Sequence, residues 1–181
     1  GYLYKIDRTN GQFRYGKEIS KVNWNTGFEY DGRPIWNMDK VPAYDYEAKD
    51  ICPASEGGKW WNPMTVNPET GWVFVPSREI CTDIKSAPLG EGLNPDEITE
   101  GKPYWGIGTI GWNTGYGQLV AFDGKTGEKK WVVKDRSPFT SGLLSTRGGL
   151  LFAGTPEGEF RAYHQETGEE LWSFHTGSGI F

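Results

Sequence analysis

Short runs of apolar residues, some alternating with polar ones, recur along the chain at a fixed distance. Gln118-Leu119-Val120-Ala121-Phe122 and Glu159-Phe160-Arg161-Ala162-Tyr163 read as strands. Each leads into a turn and then a second strand that carries a tryptophan. Ala121-Phe122-Asp123-Gly124-Lys125-Thr126-Gly127 is followed by Trp131, and Ala162, His164, Thr167 and Gly168 are followed by Trp172, 41 residues later with the same internal spacing. In the Asp-x-x-Thr-Gly segment the Asp and Thr side chains bond nearby backbone, and the glycine takes the positive φ that closes a tight reversal. The predicted unit is a hairpin that sets a small Ala against a large aromatic at constant offset. Two looser copies lie upstream. Thr65-Val66-Asn67-Pro68-Glu69-Thr70-Gly71 keeps the frame with Val75 where the Trp would sit, and Ile6-Asp7-Arg8-Thr9-Asn10-Gly11 does so with Tyr15.

A unit of about 40 residues cannot bury its own hydrophobic face, so the copies must stack. Hairpins stacked radially with short protected edges give an all-β, partial β-propeller; a sandwich is the alternative, and it leaves the constant Ala-to-Trp offset unexplained. The expected organisation is 1–82 as the first blades, 83–104 as a surface loop and 105–181 as two regular copies. Within the first part, 1–15 is a hairpin, 21–50 a polar, aromatic-rich connection, and 51–82 a blade core flanked by Cys52 and Cys81. Pro88, Gly90, Gly92 and Pro95, with the acids Asp83, Glu91, Asp96, Glu97 and Glu100, mark the loop.

Composition narrows the function classes. The chain of 181 residues is long enough for one domain, and its 26 glycines and nine each of Trp, Tyr and Phe suit many short strands joined by tight turns. With 19 basic against 24 acidic residues the net charge is −5, which disfavours a nucleic-acid surface. No stretch is long and apolar enough to span a membrane. Cys52 and Cys81 read either as two small buried hydrophobes or as a disulfide. Their position on either side of one hairpin favours the bridge, and a bridge would imply an oxidising compartment. His164 and His175 have no partner at metal-ligand spacing and read as structural, and Lys59 as a solvated turn residue. Both ends read as parts of strands, so the chain is expected to be an internal piece of a longer protein, unstable and inactive when excised.

The Ala-x-Asp-x-x-Thr-Gly-x-x-x-Trp unit resembles the tryptophan-docking motif of the PQQ-dependent quinoprotein alcohol dehydrogenases, eight-bladed propellers of the methanol and ethanol dehydrogenase type. Asp7-Arg8-Thr9-Asn10-Gly11, Val22-Asn23-Trp24 and Gly32-Arg33-Pro34-Ile35 also match. So do Ile51-Cys52-Pro53-Ala54 through Glu56-Gly57-Gly58 to Ile80-Cys81-Thr82-Asp83, Ser141 to Thr146, Phe152 to Thr155, and Gly177 to Ile180, in the family's order. The chain is thus identified as the C-terminal part of such a propeller. The resemblance implies a structural disulfide between Cys52 and Cys81. It makes Ala121, Asp123, Gly127, Trp131, Ala162, Gly168 and Trp172 docking residues that keep the ring closed. It also implies pyrroloquinoline quinone beside Ca²⁺ or a lanthanide, a small primary alcohol as substrate, cytochrome c as electron acceptor and a periplasmic location; an oligomer is compatible with it. The family's catalytic Asp and metal ligands fall upstream of this chain, so none is assigned here. One contact region remains. Eight residues after Cys52 the family places a polar residue, often followed by Trp, that touches the cofactor; here these positions are Trp60 and Trp61. Trp61 with Pro63 matches the ethanol-type pattern, whereas Trp60 can donate a hydrogen bond but not accept one. A shift of one residue would make Asn62 the contact. The alternative functions are a non-catalytic propeller of the outer-membrane assembly type, which lacks the Cys-flanked segment, and a carbohydrate-binding domain using Trp60, Trp61 and Trp72 as one stacking face.

Overall fold

The computed structural model describes residues 1–43, 46–86, 107–113 and 115–181. In chain order, β1 (Tyr2–Ile6) and β2 (Phe13–Glu18) form one hairpin, and β3 (Asn25–Phe28) and β4 (Pro34–Trp36) another. A single 3-10 turn over Met38–Lys40, capped by the Asn37 side chain, leads to β5 (Glu47–Ile51). Then come β6 (Thr65–Val66), β7 (Trp72–Glu79), β8 (Thr82–Ser86), β9 (Ile107–Trp112), β10 (Tyr116–Asp123) and β11 (Lys129–Asp135). The last four are β12 (Leu143–Ser145), β13 (Leu150–Gly154), β14 (Glu159–His164) and β15 (Glu170–His175).

Two four-stranded antiparallel sheets, β6-β7-β10-β11 and β12-β13-β14-β15, are complete blades. The β1–β2 hairpin repeats the outer pair of a third. The constant sequence offset is a cross-strand pair: Ala121 faces Trp131, Ala162 faces Trp172 and Lys5 faces Tyr15, each followed by a register shift into the turn. Four turns close alike. Gly11, Gly71, Gly127 and Gly168 have φ of 72 to 75°, and each N–H donates to the carbonyl four residues back at 2.7–2.8 Å.

The turn at 67–71, however, occupies a different place in its blade. It joins the inner strands β6 and β7 of the same blade whose outer strands carry the 123–127 turn, and Gly124 N–H donates to Gly71 O at 3.0 Å. Strands from 1–82 and from 105–181 therefore share one sheet, and the expected division at 83–104 cuts through a blade. Between β7 and β10 in the chain, β8 and β9 pair with β5 as a separate three-stranded side sheet. Asp83 to Ser86, expected in the loop, continue β8; residues 87–104 lie outside the described residues. The connection 21–50 is also more ordered than its polar composition suggests. Phe28 of β3 packs its ring 4.8 Å from Tyr2, 5.3 Å from Phe13 and 5.5 Å from Tyr4.

The first complete blade is covered on both faces, which is why its central strands read as apolar runs. Phe74, Leu119 and Ala121 face the second blade, where they meet Phe139, Leu143, Leu151, Ala153 and Tyr163. Val75, Val120 and Phe122 face the other way, onto Ile19 and Leu3 of the first hairpin. The strand period of two sorts one sequence into two cores. The aromatic at each outer strand then docks on the next turn. Trp131 lays its ring where a Cβ on Gly168 would be 2.9 Å away, and its Nε1–H donates to Gln165 O at 2.8 Å. Tyr15 packs against Gly127 in the same way, and its hydroxyl donates to Gly124 O at 2.9 Å. Trp172 is half-exposed on β15, stacked parallel to Phe174.

The outer turns of the two complete blades differ at their first position. Asp123 Oδ1 accepts from Lys125 N (2.7 Å) and Thr126 N (3.0 Å), and these bonds, that from Thr126 foremost, hold its carboxyl below the ordinary carboxylate range. His164 stands at the same place, and its Nδ1 is buried with no partner. Replacing His164→Asp is expected to supply the missing acceptor and raise stability by about 1 kcal/mol, read as a higher melting temperature. A carboxyl with a lowered folded-state pKa stabilises only while ionised, so the gain should be full above the unfolded carboxylate range and fade as pH falls through the lowered value. A melting temperature that does not rise at neutral pH would count against this account of the turn.

Candidate functional site

Successive blades expose two opposite ends. The docking turns occupy one end. At the other, the carboxyl ends of β7, β11 and β13 meet the segment 52–64, and here the sequence-predicted contact residues lie together. The segment is tied down along its length. The Cys52–Cys81 disulfide joins its start to the strand end after β7, with the two Cα atoms 4.4 Å apart. Asn23 brackets it: Oδ1 accepts from Cys52 N at 2.8 Å, and Nδ2 donates to Asp50 O at 2.6 Å. Ala54 N–H donates to Ile80 O (2.7 Å), and Arg78 N–H to Gly58 O (2.8 Å), so the segment runs beside the end of β7. A Cβ on Gly58 would overlap Ser20 Oγ, so only glycine allows this approach.

Beyond Gly58 the two indoles emerge. Trp60 and Trp61 stack with centroids 4.4 Å apart and planes 12° from parallel. Trp60 is 46 % exposed and Trp61 77 %. The Arg78 guanidinium lies over the Trp60 ring, 5.4 Å from its centre. Arg78 Nε donates to Gly57 O at 3.0 Å and its NH2 to Glu56 Oε2 at 3.2 Å. Lys59 Nζ donates to Trp60 O at 2.9 Å, and partial burial lowers its pKa from that of an ordinary lysine. Behind the indoles a cavity of about 150 Å³ is lined by Trp60, Asn62, Arg78, Phe139 and Pro156, on the seam between the two blades. Asn62, the alternative contact, is 5 % exposed and its amide nitrogen donates to Thr140 O.

The other singled-out residues sit elsewhere. Ala121, Asp123, Gly127, Trp131, Ala162, Gly168 and Trp172 belong to the docking turns and outer strands. His164 lies in a docking turn, and His175 pairs with Glu159 at 3.0 Å on the outer strands. Trp72 opens β7 while Arg78 nearly closes it, a separation of roughly 20 Å along a strand. Trp72 therefore does not share a face with Trp60 and Trp61, which removes the platform required by a carbohydrate-binding reading. Among the described residues Asp50, Cys52 and Cys81 converge within 4.8 Å, but both sulfurs are spent in the disulfide, so no thiolate is left to bind a metal. Sequence reasoning passed over Asn23, Arg78 and Gln165. Arg78 alone carried a signal, as a charge directly after the buried run Phe74 to Ser77.

The family model for PQQ-type repeats, described as outer membrane protein assembly factor BamB, matches residues 14–180. The chain belongs to this family of β-propellers. Among propellers of this family its relatives are quinoproteins. It is 41% identical over 189 residues to the quinoprotein alcohol dehydrogenase PedH of Pseudomonas putida, covering 99% of this chain and 31% of that protein. To the quinohemoprotein alcohol dehydrogenase of Comamonas testosteroni it is 34% identical over 193 residues, covering 99% and 26%. Among solved structures it superposes on a europium-containing methanol dehydrogenase with a TM-score of 0.88 at 31% identity, over 99% of this chain and 31% of that one. The chain spans about 31% of the length of PedH, so what it describes is a sector of a propeller with open sheets.

Proposed function

We propose that this sector belongs to a PQQ-dependent alcohol dehydrogenase that oxidises a primary alcohol to an aldehyde, and that Trp60 and Trp61 face the cofactor. The observation that carries this reading is the Trp60–Trp61 stack, held on a disulfide-anchored segment at the end of the blades away from the docking turns. A planar quinone with several carboxylates needs aromatic faces, N–H donors and nearby cations. Two exposed indoles, their N–H groups, Lys59 and Arg78 are of that chemistry. When bound, pyrroloquinoline quinone beside Ca²⁺ or a lanthanide ion supplies the acceptor for the hydride of the alcohol. The protein's own contribution here is placement: Trp60 offers an N–H donor, Trp61 a face that excludes water, and Lys59 a cation against carboxylate charge. No residue of this chain is assigned as metal ligand or catalytic base. The metal remains Ca²⁺ or a lanthanide on this reading; a lanthanide-dependent methanol dehydrogenase of Methylacidiphilum fumariolicum is a relative at 33% identity.

We further propose cytochrome c as the electron acceptor and the periplasm as the location. Two relatives bear cytochrome c in their names, a lupanine 17-hydroxylase and a 1-butanol dehydrogenase, and the disulfide suits an oxidising compartment. The test is dye-linked alcohol oxidation by the intact protein after reconstitution with pyrroloquinoline quinone, with Ca²⁺ and La³⁺ in parallel. Activity with either metal is expected. Neither activity nor retained cofactor would overturn the reading and favour a non-catalytic propeller.

A further inference from the structure

We propose that Arg78 is a positioning residue, holding Trp60 so that the indole N–H is presented to the quinone; this rests on the cofactor reading of Trp60 and Trp61. Among the described residues the Trp60 N–H makes no hydrogen bond, so the orientation of the ring is set by what packs on it. Those neighbours are Trp61, stacked at 4.4 Å, and the Arg78 guanidinium, over the ring at 5.4 Å. Trp61, at 77 % exposure, cannot anchor the stack; Arg78 can. Its side chain is 15 % exposed and it sits at the end of a strand buried between two blades. Its planar fork is fixed by Gly57 O and Glu56, and its backbone N–H by Gly58 O, so a single residue ties down three consecutive positions of the loop that carries Trp60. A lysine would keep the charge but lose the rigid fork and the flat surface that stacks on an indole.

The pairing of charge and aromatic suits the chemistry. A cation against one face of Trp60 makes the N–H edge a better donor and favours an anionic ligand nearby. Without the Arg78 side chain, the Glu56 carboxylate and Gly57 O would lose their partner, and Trp60 would be free to rotate away from its cavity.

The experiment uses the intact protein with Arg78→Gln, Arg78→Lys, Trp60→Phe and the Arg78→Gln/Trp60→Phe double variant. The first readout needs no cofactor. Two parallel indoles give exciton-coupled circular dichroism, isolated from the other tryptophans as the difference from Trp61→Phe. This signal is expected to survive only in part in Arg78→Lys and to vanish in Arg78→Gln, with unfolding still cooperative. The second readout is the dissociation constant of pyrroloquinoline quinone. It should weaken roughly tenfold in Arg78→Gln, the scale of one lost cation–aromatic contact, and the double variant should be no weaker than Trp60→Phe alone. An exciton signal that persists in Arg78→Gln, or an equal loss of affinity in the Trp60→Phe background, would overturn the proposal. Wild-type protein that binds no quinone would instead overturn the cofactor reading, while the exciton signal would still decide whether Arg78 positions Trp60.

Discussion

Trp131→Ala is expected to destabilise the protein by about 3 kcal/mol, the lower end for truncating a large aromatic because this indole is half-buried. The loss should fall on the seam between blades rather than within one. Trp131 packs its ring 5.8 Å from Phe74 and against Gly168, and joins the cluster that both blades share. Its Nε1–H also satisfies Gln165 O. Hydrogen exchange should therefore rise across residues 143–175 while β7 and β10, still covered on their other face by Ile19 and Leu3, change less. Trp131→Phe keeps most of the packing and loses the hydrogen bond, so about 1 kcal/mol is expected. Equal exchange throughout the chain in Trp131→Ala would refute the view that this residue acts as an inter-blade lock.

How much of this was legible beforehand follows from the range of the interactions concerned. The docking turns are local: a Gly at positive φ and, in three of the four, an Asp or Asn that accepts from backbone N–H groups two or three residues on leave a signature within seven residues. All four turns were found for that reason. Their assignment to places in a blade is not local. The turn at Asn67–Gly71 is the same backbone solution used between inner strands, and nothing within its own residues distinguishes it from the outer turns. The missing tryptophan was the one hint: Val75 stands where the docking aromatic would be, buried in the core it shares with Ile19. The boundary at 83–104 erred for a related reason. Pro, Gly and acidic residues mark where a chain leaves its sheet, but not that Trp72 to Glu79 and Tyr116 to Asp123 pair with each other.

The candidate site divides in the same way. Trp60 and Trp61 could be singled out because they follow Cys52-Pro53 at a recognisable spacing. Arg78 and Asn23 could not, because they reach the segment from positions far along the chain, Arg78 from the end of β7, 21 residues from Gly57, and Asn23 from the connection before β3, 29 residues from Cys52. A constellation assembled from several strand ends is specified by the fold, and a fold built of repeats makes such ends coincide in space without any mark in the local sequence. The same argument gives the disulfide its part. By joining the start of segment 52–64 to the end of β7, it fixes the loop against the strand that carries Arg78, so the anchor and the clamp act on one short piece of chain.

Gln165 shows how large an effect can come from a residue with no sequence signal. It is 3 % exposed in the second docking turn. Its Oε1 accepts from Asn67 Nδ2 at 2.7 Å, reaching the inner turn of the neighbouring blade. Its Nε2 donates to Thr146 O (2.9 Å) and Leu150 O (2.7 Å), closing the inner hairpin of its own blade. One amide thus joins three turns at the docking end. Gln165→Leu is expected to cost about 3 kcal/mol, roughly one for each lost bond, with the Asn67 donor left buried and unpaired. Gln165→Glu should be worse at neutral pH. It keeps the acceptor for Asn67 but turns a carboxylate toward two carbonyl oxygens, and a buried charge facing two partial negative charges is destabilising. Protonation would restore one donor beside the retained acceptor, so the Glu variant should rise above the Leu variant as pH falls. Chemical denaturation of both variants at neutral and acidic pH reads the order directly. A Glu variant as stable as wild type at neutral pH would mean that Gln165 is not bound by its two carbonyl partners, and that the inner and outer turns are joined by packing alone.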